Sequence, residues 1–193
     1  MDTRISNSYF IAVTGHRFIP NSAELEKTIR IVLETQIKIH SGKIINLYSA
    51  LAEGSDQLVA KIAAEYSSIS LWVPLPMNTD EYIKDFSTQI SQTSFTELLS
   101  SAAKTINLSA NSDHQRPYER LGHFLVNQSD VLIALWDGFD NQKKGGTSDV
   151  VRLALNAGKP VYWIYCPNLN ISGQYNLNQQ KHIGHLELLN PPG

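Results

Sequence analysis

Cysteine is almost absent from this chain of 193 residues, which contains Cys166 alone. A single thiol cannot form an internal disulfide, so apolar burial has to stabilise the core, and the chain is long enough for that. The N-terminal sequence MDTRISNSYF has no apolar stretch of the kind found in secretory signals. These absences predict a cytoplasmic protein in a reducing environment.

Long apolar runs and an excess of positive charge are also missing. No run approaches the roughly 18 to 20 residues needed to span a bilayer, so no membrane association is expected from this chain. The 16 Lys and Arg residues against 18 Asp and Glu residues give a formal net charge of -2. General nucleic-acid binding is therefore disfavoured, although this balance of charge allows a local basic site. His182 and His185 have the spacing of half a zinc site, but no cysteine or acidic cluster nearby completes it, so we expect no metal.

Apolar segments of strand length alternate with helical patterns along the chain. The strands are predicted at 8–14, 43–49, 69–75, 104–108, 130–136 and 160–165, and the helices at 22–40, 55–66, 79–100, 117–128 and 147–157. This alternation favours a doubly wound α/β sandwich with a mainly parallel sheet of about six strands. Ligands of such folds bind at the carboxyl ends of the strands, so the loops after the strands are expected to carry the function.

The composition changes after Cys166. Residues 1–166 are predicted to form one ligand-binding domain, since this length fits a single core. Residues 167–193 are rich in Asn, Gln, Ser and Gly and end in PPG, which is typical of a polar tail or of the start of a linker.

Residues 130–151, DVLIALWDGFDNQKKGGTSDVV, have the layout of a phosphate site. A strand that is apolar on both faces ends at Asp137-Gly138, and a short loop leads to Gly145-Gly146-Thr147, where a helical pattern begins. The unpaired amides and the positive dipole end of such a helix face whatever lies above the strand ends. The sequence therefore predicts an anion site formed by these two segments.

The first strand ends in VTGHRFIP, which places two hydrogen-bond donors above the sheet. Gly15 permits a tight turn, and His16 and Arg17 would then face the crevice between the strand ends. A surface turn with a solvated arginine is the alternative. The position at a strand end favours ligand binding.

The second strand ends in YSALAEGSDQLVA, at the start of a predicted helix. Its polar residues are Ser49, Glu53, Gly54 and Asp56. The two acids either cap the helix or accept hydrogen bonds from ribose hydroxyls and orient Arg17. Both interpretations stay open.

The third strand leaves the sheet through VPLP, in which Pro74 and Pro76 stiffen the chain. Tyr82 and Phe86 are four residues apart and are predicted to share one face of the helix at 79–100. Core packing is favoured over base stacking for both rings.

Four short motifs thus follow the predicted strands in order. They are Thr14-Gly15-His16-Arg17, residues 48–56 (YSALAEGSD), residues 73–86 (VPLP with the later DEY and DF) and residues 130–147 (DVLIALWDG to GGT). Each motif is weak alone, but the ordered set, which covers residues 9 to 165, resembles bacterial members of the SLOG superfamily. This Rossmann-like group includes the cytokinin-activating phosphoribohydrolases, once described as lysine decarboxylases.

The resemblance implies a nucleotide-derived ligand, phosphorylated or ADP-ribose-like, held between the glycine loops, with no cofactor required. It also implies that motif residues such as Thr14, Ser49, Gly54 and Pro76 belong to the binding set, and that the protein is a homo-oligomer, a dimer.

The chain departs from the hydrolase branch of that superfamily at the glycine loop. The branch carries PGGxGTxxE, whose Glu acts on the N-glycosidic bond, whereas Lys144 precedes the glycines here and Val150 stands three places after Thr147. Asp149 is one position out of register, which turns a helical side chain by about 100°. Hydrolysis is thereby put in doubt, and no residue marks a lysine decarboxylase.

The sequence therefore predicts a ligand-binding domain that senses a nucleotide derivative, such as a nucleoside phosphate, NAD or an ADP-ribose-like molecule. Two alternatives remain. One is an N-glycosidic hydrolase in which Glu53, Asp56 or Asp149 is the acid or base. The other is an oligomeric interaction module whose loops are only well-capped turns. The first binds a ligand unchanged, the second releases a product, and the third binds no ligand.

Overall fold

A computed structural model describes residues 7–110, 116–169 and 181–191. The strands are β1 (Ser8–Gly15), β2 (Ile44–Tyr48), β3 (Ile69–Leu75), β4 (Lys104–Asn107), β5 (Val131–Trp136), β6 (Val161–Tyr165) and β7 (Leu186–Leu189). The α-helices are α1 (Ala23–Ile39), α2 (Ser55–Ala63), α3 (Thr79–Tyr82), α4 (Gln89–Ser100), α5 (Pro117–Gln128) and α6 (Thr147–Asn156), with 3₁₀ turns at Ile83–Asp85 and Leu108–Ala110. In these described ranges, no helix combines the length and the apolarity that a membrane span requires.

The strands form one sheet in the order β4-β3-β2-β1-β5-β6-β7. The first six strands are parallel, and β7 is antiparallel to β6. The chain moves outward from β1 to β4 and then crosses back to place β5 on the other side of β1. This reversal makes the space above β1 and β5 the switch point of a Rossmann-like sandwich, as the predicted alternation requires.

The core explains why β1 and β5 lie at the centre. On one face of the sheet, Ile11 and Ile133 pack against apolar residues of α1 and α2. On the other face, Ala12 and Leu132 pack against α5 and α6. Both strands therefore bury both faces, which accounts for their uninterrupted apolar sequences.

The predicted helix at 79–100 is wrong in one respect, because the chain leaves the helical conformation at Phe86. That residue is extended, with φ -87° and ψ 130°, and Thr88 then caps α4 by accepting a hydrogen bond from the amide of Ser91. Tyr82 and Phe86 still pack together in a buried cluster, with ring centroids 5.3 Å apart. The packing is present, although the two residues do not share a helix face.

The sequence pattern does not predict β7, which lies within the polar segment that follows Cys166. Four residues at a sheet edge, none of them fully buried, carry too little apolar pattern to stand out. Two contacts fix this strand and the turn before it. β7 pairs with β6, and the hydroxyl of Thr28 in α1 donates to the carbonyl of Gly184 at 2.8 Å. This added strand covers the edge of β6.

Gly54, directly before α2, tests how tightly the loops after β1 and β2 pack. Its φ is +83°, and a Cβ atom there would overlap the backbone carbonyl of Arg17. We expect Gly54→Ala to lower the free energy of unfolding by more than about 3 kcal/mol, because left-handed backbone and a backbone clash combine. Urea unfolding measures the loss.

Gly158 supplies the matched control. It also has positive φ, +69°, but a Cβ atom there meets nothing within 4 Å. Gly158→Ala should therefore cost only about 1 to 2 kcal/mol. Equal losses in the two variants would contradict the close packing of the two loops.

Candidate functional site

An open cleft of about 830 Å³ lies above the carboxyl end of β1, between the loop that follows β1 and the glycine loop that follows β5. Its walls come from the end of β1, the N-terminal parts of α2, α5 and α6, the segment after β3 and the glycine loop at 141–147. The cleft therefore occupies the switch point of the sheet, where doubly wound folds bind their ligands.

The glycine loop leads into the N-terminus of α6. Gly146 is the N-cap residue and has no side chain to accept a hydrogen bond from the first turn. The amide of Val150 is the first to bond back, to the carbonyl of Gly146 at 3.1 Å, so the preceding amides have no intrahelical acceptor. Gly146 and Thr147 line the cleft, where this helix end can bind an anion.

Asp149 holds the glycine loop in place. It is buried, and its carboxylate accepts a hydrogen bond from the amide of Gly145 at 2.9 Å and from the guanidinium of Arg152. Gly145 has φ +71°, and a Cβ atom there would lie 2.6 Å from the backbone of Tyr118. The carboxylate of Asp149 is thus engaged by the loop that it supports, and the residue does not line the cleft.

The guanidinium of Arg17 is fixed at one side of the cleft. Nη1 donates to the carbonyl of Asp85 at 3.1 Å, and Nη2 donates to the hydroxyl of Tyr118 at 2.9 Å. The guanidinium carbon lies 5.5 Å from the centre of the Tyr118 ring, and the Tyr118 hydroxyl donates in turn to the Asp85 carboxylate. Burial, followed by the hydrogen bond to Asp85, raises the pKa of Tyr118 to about 12. Arg17 is therefore oriented by its hydrogen bonds to Asp85 and Tyr118.

His16 and Asp137 connect the loops after β1 and β5. The amide of His16 donates to the carbonyl of Leu135, and the amide of Asp137 donates to Nε2 of His16, each at 3.1 Å. The Asp137 carboxylate lies 3.2 Å from the same Nε2 atom. Burial opposes ionisation of Asp137, but the neighbouring His16 ring and a hydrogen bond from the Phe139 amide lower its pKa overall. These contacts therefore fix the loops after β1 and β5 to each other.

Asp56, at the start of α2, is a buried carboxyl group that lines the cleft. Burial raises its pKa from 3.8 to about 7. Hydrogen bonds from the amides of Ala52 and Ala50 and the positive charge of Arg17 oppose this rise. Asp56 therefore changes its charge near neutral pH.

Glu53 and Ser49 stabilise the loop after β2. The carboxylate of Glu53 accepts hydrogen bonds from the amide of Ser87 at 3.0 Å and from its hydroxyl at 2.7 Å. The hydroxyl of Ser49 donates to the backbone carbonyl of Asp56 at 3.1 Å and accepts from the amide of Leu51. Both polar groups are engaged within the protein.

The sequence-predicted residues divide into two groups in the structure. The cleft is lined by Thr14, Gly15, His16, Arg17, Asp56, Gly145, Gly146 and Thr147. Outside its lining lie Ser49, Glu53, Gly54, Pro76, Asp137, Gly138 and Asp149. Several members of the second group position the loops that carry the first.

Sequence reasoning missed Tyr118 and Asp85 as site residues and favoured core packing over a ligand contact for Tyr82. All three line the cleft. Tyr118 offers the clearest signal, because the N-terminus of a helix that follows a parallel strand lies at the carboxyl edge of the sheet. Asp85 reaches the cleft only through the 3₁₀ turn that replaces the predicted continuous helix.

His182 and His185 lie together, with ring centroids 5.6 Å apart. Among the described residues, no group of three or more His, Cys, Asp or Glu side chains is arranged to hold a metal ion.

No family model and no curated protein matches this sequence. The fold is similar to the X-ray structure of TM1055, a structural genomics target, with 16% identity over 79% of this chain and 72% of that chain and a TM-score of 0.45. It is also similar to the Moco carrier protein from Chlamydomonas reinhardtii, with 23% identity over 81% of this chain and 75% of that chain and a TM-score of 0.43. Likeness at this level concerns the fold alone.

Proposed function

We propose that this protein binds a nucleotide-derived ligand in the cleft, with a phosphate group at the N-terminus of α6, and serves as a ligand-binding or sensor domain. The observation that carries the proposal is that the Arg17 guanidinium and the first turn of α6 border the same cleft. A fixed guanidinium and unpaired helix amides are both strong hydrogen-bond donors to phosphate oxygens.

The charge of the cleft supports an anionic ligand. Its basic side chains are Arg17, Arg116, Lys143 and Lys144, and its acidic side chains are Asp56 and Asp85. The Asp85 carboxylate accepts a hydrogen bond from Tyr118, and burial favours the neutral form of Asp56. The cleft therefore has a local cationic surplus, although the whole chain has a formal net charge of -2.

We further propose that the chain is a member of the SLOG superfamily. Two of the four motifs support this, since Thr14-Gly15-His16-Arg17 and the GGT of Gly145-Gly146-Thr147 border one cleft although about 130 residues separate them. The proposal that the ligand is a nucleotide derivative rests on this proposed family membership. The proposed phosphate site does not depend on the family, because it rests on the amides of α6 and on the basic side chains of the cleft.

Cleavage of an N-glycosidic bond is a second candidate function, and one observation favours it. Glu53 is engaged by Ser87 and Asp149 by Gly145, whereas Asp56 lines the cleft and has a pKa of about 7. A carboxyl group with such a pKa suits general acid or base catalysis at neutral pH. Binding remains the first proposal because Val150 stands where the hydrolase branch carries its Glu.

Binding is tested by calorimetry and thermal unfolding with a panel of nucleoside phosphates, NAD and ADP-ribose. A ligand at about 100 times its Kd adds about 2.7 kcal/mol, which should raise the melting temperature of a domain of this size by roughly 5 to 11 °C. Unphosphorylated nucleosides are the control and should give a much smaller shift. We expect chromatography to recover the ligand unchanged.

Two results would contradict the proposal that the protein binds a nucleotide derivative without cleaving it. A complete panel without heat or thermal shift would remove the binding proposal. Multiple turnovers of a nucleoside monophosphate or NAD would replace the sensor with the hydrolase.

Arg17→Ala separates the anion site from general stability. Loss of a charge-assisted hydrogen bond should weaken the binding of the phosphorylated compound by roughly ten- to a hundredfold. Arg30→Ala is the matched control, because Arg30 pairs with Glu65 outside the cleft lining. Unchanged affinity in a folded Arg17→Ala variant would mean that the guanidinium only holds Tyr118 and Asp85.

Asp56→Asn tests the raised pKa of the Asp56 carboxyl group. Between pH 3.8 and about 7, the folded protein keeps a proton that the unfolded chain has lost, because the pKa of Asp56 is raised. The free energy of unfolding should therefore decrease as the pH rises through this range. Asp56→Asn should remove that part of the pH dependence, as measured by urea unfolding at several pH values.

The control for this series is Asp80→Asn, since Asp80 is an exposed aspartate. It should leave the pH dependence of stability as in the wild type. A wild-type profile that Asp56→Asn leaves unaltered would show that Asp56 is ionised throughout this range.

A further inference from the structure

Tyr82 brings an unpaired hydroxyl group to the wall of the cleft. Its side chain is completely buried, and the residue lines the cleft. In the part of the chain that the structure describes, the Tyr82 hydroxyl has no hydrogen-bond partner. Buried polar groups are nearly always hydrogen-bonded, so this one needs a partner from elsewhere, such as a bound ligand.

The Tyr82 ring is fixed by other aromatic rings. Phe86 and Phe95 meet it edge to face, with centroid distances of 5.3 Å and 5.7 Å, and Tyr118 lies 6.3 Å away. Close packing on these sides prevents the ring from turning its hydroxyl towards a different partner. The position of the donor is therefore set before any ligand arrives.

The Tyr82 hydroxyl stays protonated, and a carboxyl group lies near it. Burial first, and then Asp56, Tyr118 and Asp85, raise the pKa of Tyr82 well above its usual value, against the influence of Arg17. Tyr118 cannot replace Tyr82 as a donor, because its own hydroxyl already donates to Asp85. The lining of the cleft thus includes Tyr82, whose O–H donor is unpaired among the described residues, and the carboxyl group of Asp56.

We propose that the Tyr82 hydroxyl donates a hydrogen bond to a sugar hydroxyl of the ligand, so that this wall is a sugar subsite beside the phosphate site. The inference rests on the proposed function and deepens it. A sugar hydroxyl fits because it accepts a hydrogen bond from Tyr82 and donates one to Asp56. A phosphate oxygen without a proton only accepts hydrogen bonds, and an apolar group would leave the Tyr82 hydroxyl unpaired.

The experiment compares AMP, GMP, CMP and UMP with their 2′,3′-dideoxy counterparts by calorimetry. For the best-bound base, wild-type protein should bind the ribonucleotide about three- to tenfold more tightly than the dideoxy compound. Tyr82→Phe should weaken ribonucleotide binding by a similar factor and leave dideoxynucleotide binding unchanged. Tyr66→Phe is the control, since the Tyr66 hydroxyl donates to Glu34 at 2.8 Å outside the cleft lining, and it should keep the wild-type preference.

The outcomes separate the sugar subsite from the phosphate site. Equal wild-type affinity for both members of each pair would overturn the sugar subsite and leave the phosphate site standing. An equal loss for both members in Tyr82→Phe would do the same. Absence of binding by every phosphorylated compound would overturn the proposed function, and the subsite with it.

A measurement on the free protein adds a further check. Tyr82→Phe removes a hydroxyl group that has no internal partner, so the melting temperature of the free variant should not fall below that of the wild type. A clear fall would show that the hydroxyl has a structural partner, and the sugar subsite would then be wrong.

Discussion

The pairing of β1 with β5 is the constraint on which the rest of the site depends. Gly15 lies opposite Leu135 in the parallel register, and the amide of His16 continues the pairing to the carbonyl of Leu135. Because the chain reaches β5 only after building β2 to β4 on the other side, the connections that leave β1 and β5 diverge to α1 and α6 on opposite faces of the sheet. That divergence opens the cleft between Arg17 and α6.

The polar groups near the cleft divide according to whether the protein itself provides their partners. The carboxylates of Glu53 and Asp149 accept hydrogen bonds from neighbouring loops, so their role is to hold those loops. The Tyr82 hydroxyl is buried without such a partner among the described residues, and burial favours the neutral form of Asp56. Since an unpaired polar group is costly to bury, a site that retains one is suited to a ligand that supplies the missing partner.

Much of the fold follows from local pattern, whereas the departures depend on partners from other elements of the chain. The central strands were predictable because burial on both faces requires uninterrupted apolar residues. The helix predicted at 79–100 breaks because the hydroxyl of Thr88 caps α4 and the amide of Ser87 bonds to Glu53, a partner from another loop. The edge strand β7 has only four residues, and the pairing that defines it comes from β6.

By itself, the sequence determined that the loops of the proposed phosphate site lie at one edge of the sheet. Glycines next to strand ends and the start of a helix after Gly146 are local features, and the parallel order of strands brings their loops to one edge. Only the tertiary structure decided which side chains face the cleft. Asp56 and Asp149 each lie near the start of a helix, yet one lines the cleft and the other holds the glycine loop. The direction of a side chain depends on helix rotation and on neighbours distant in sequence, which no local pattern records.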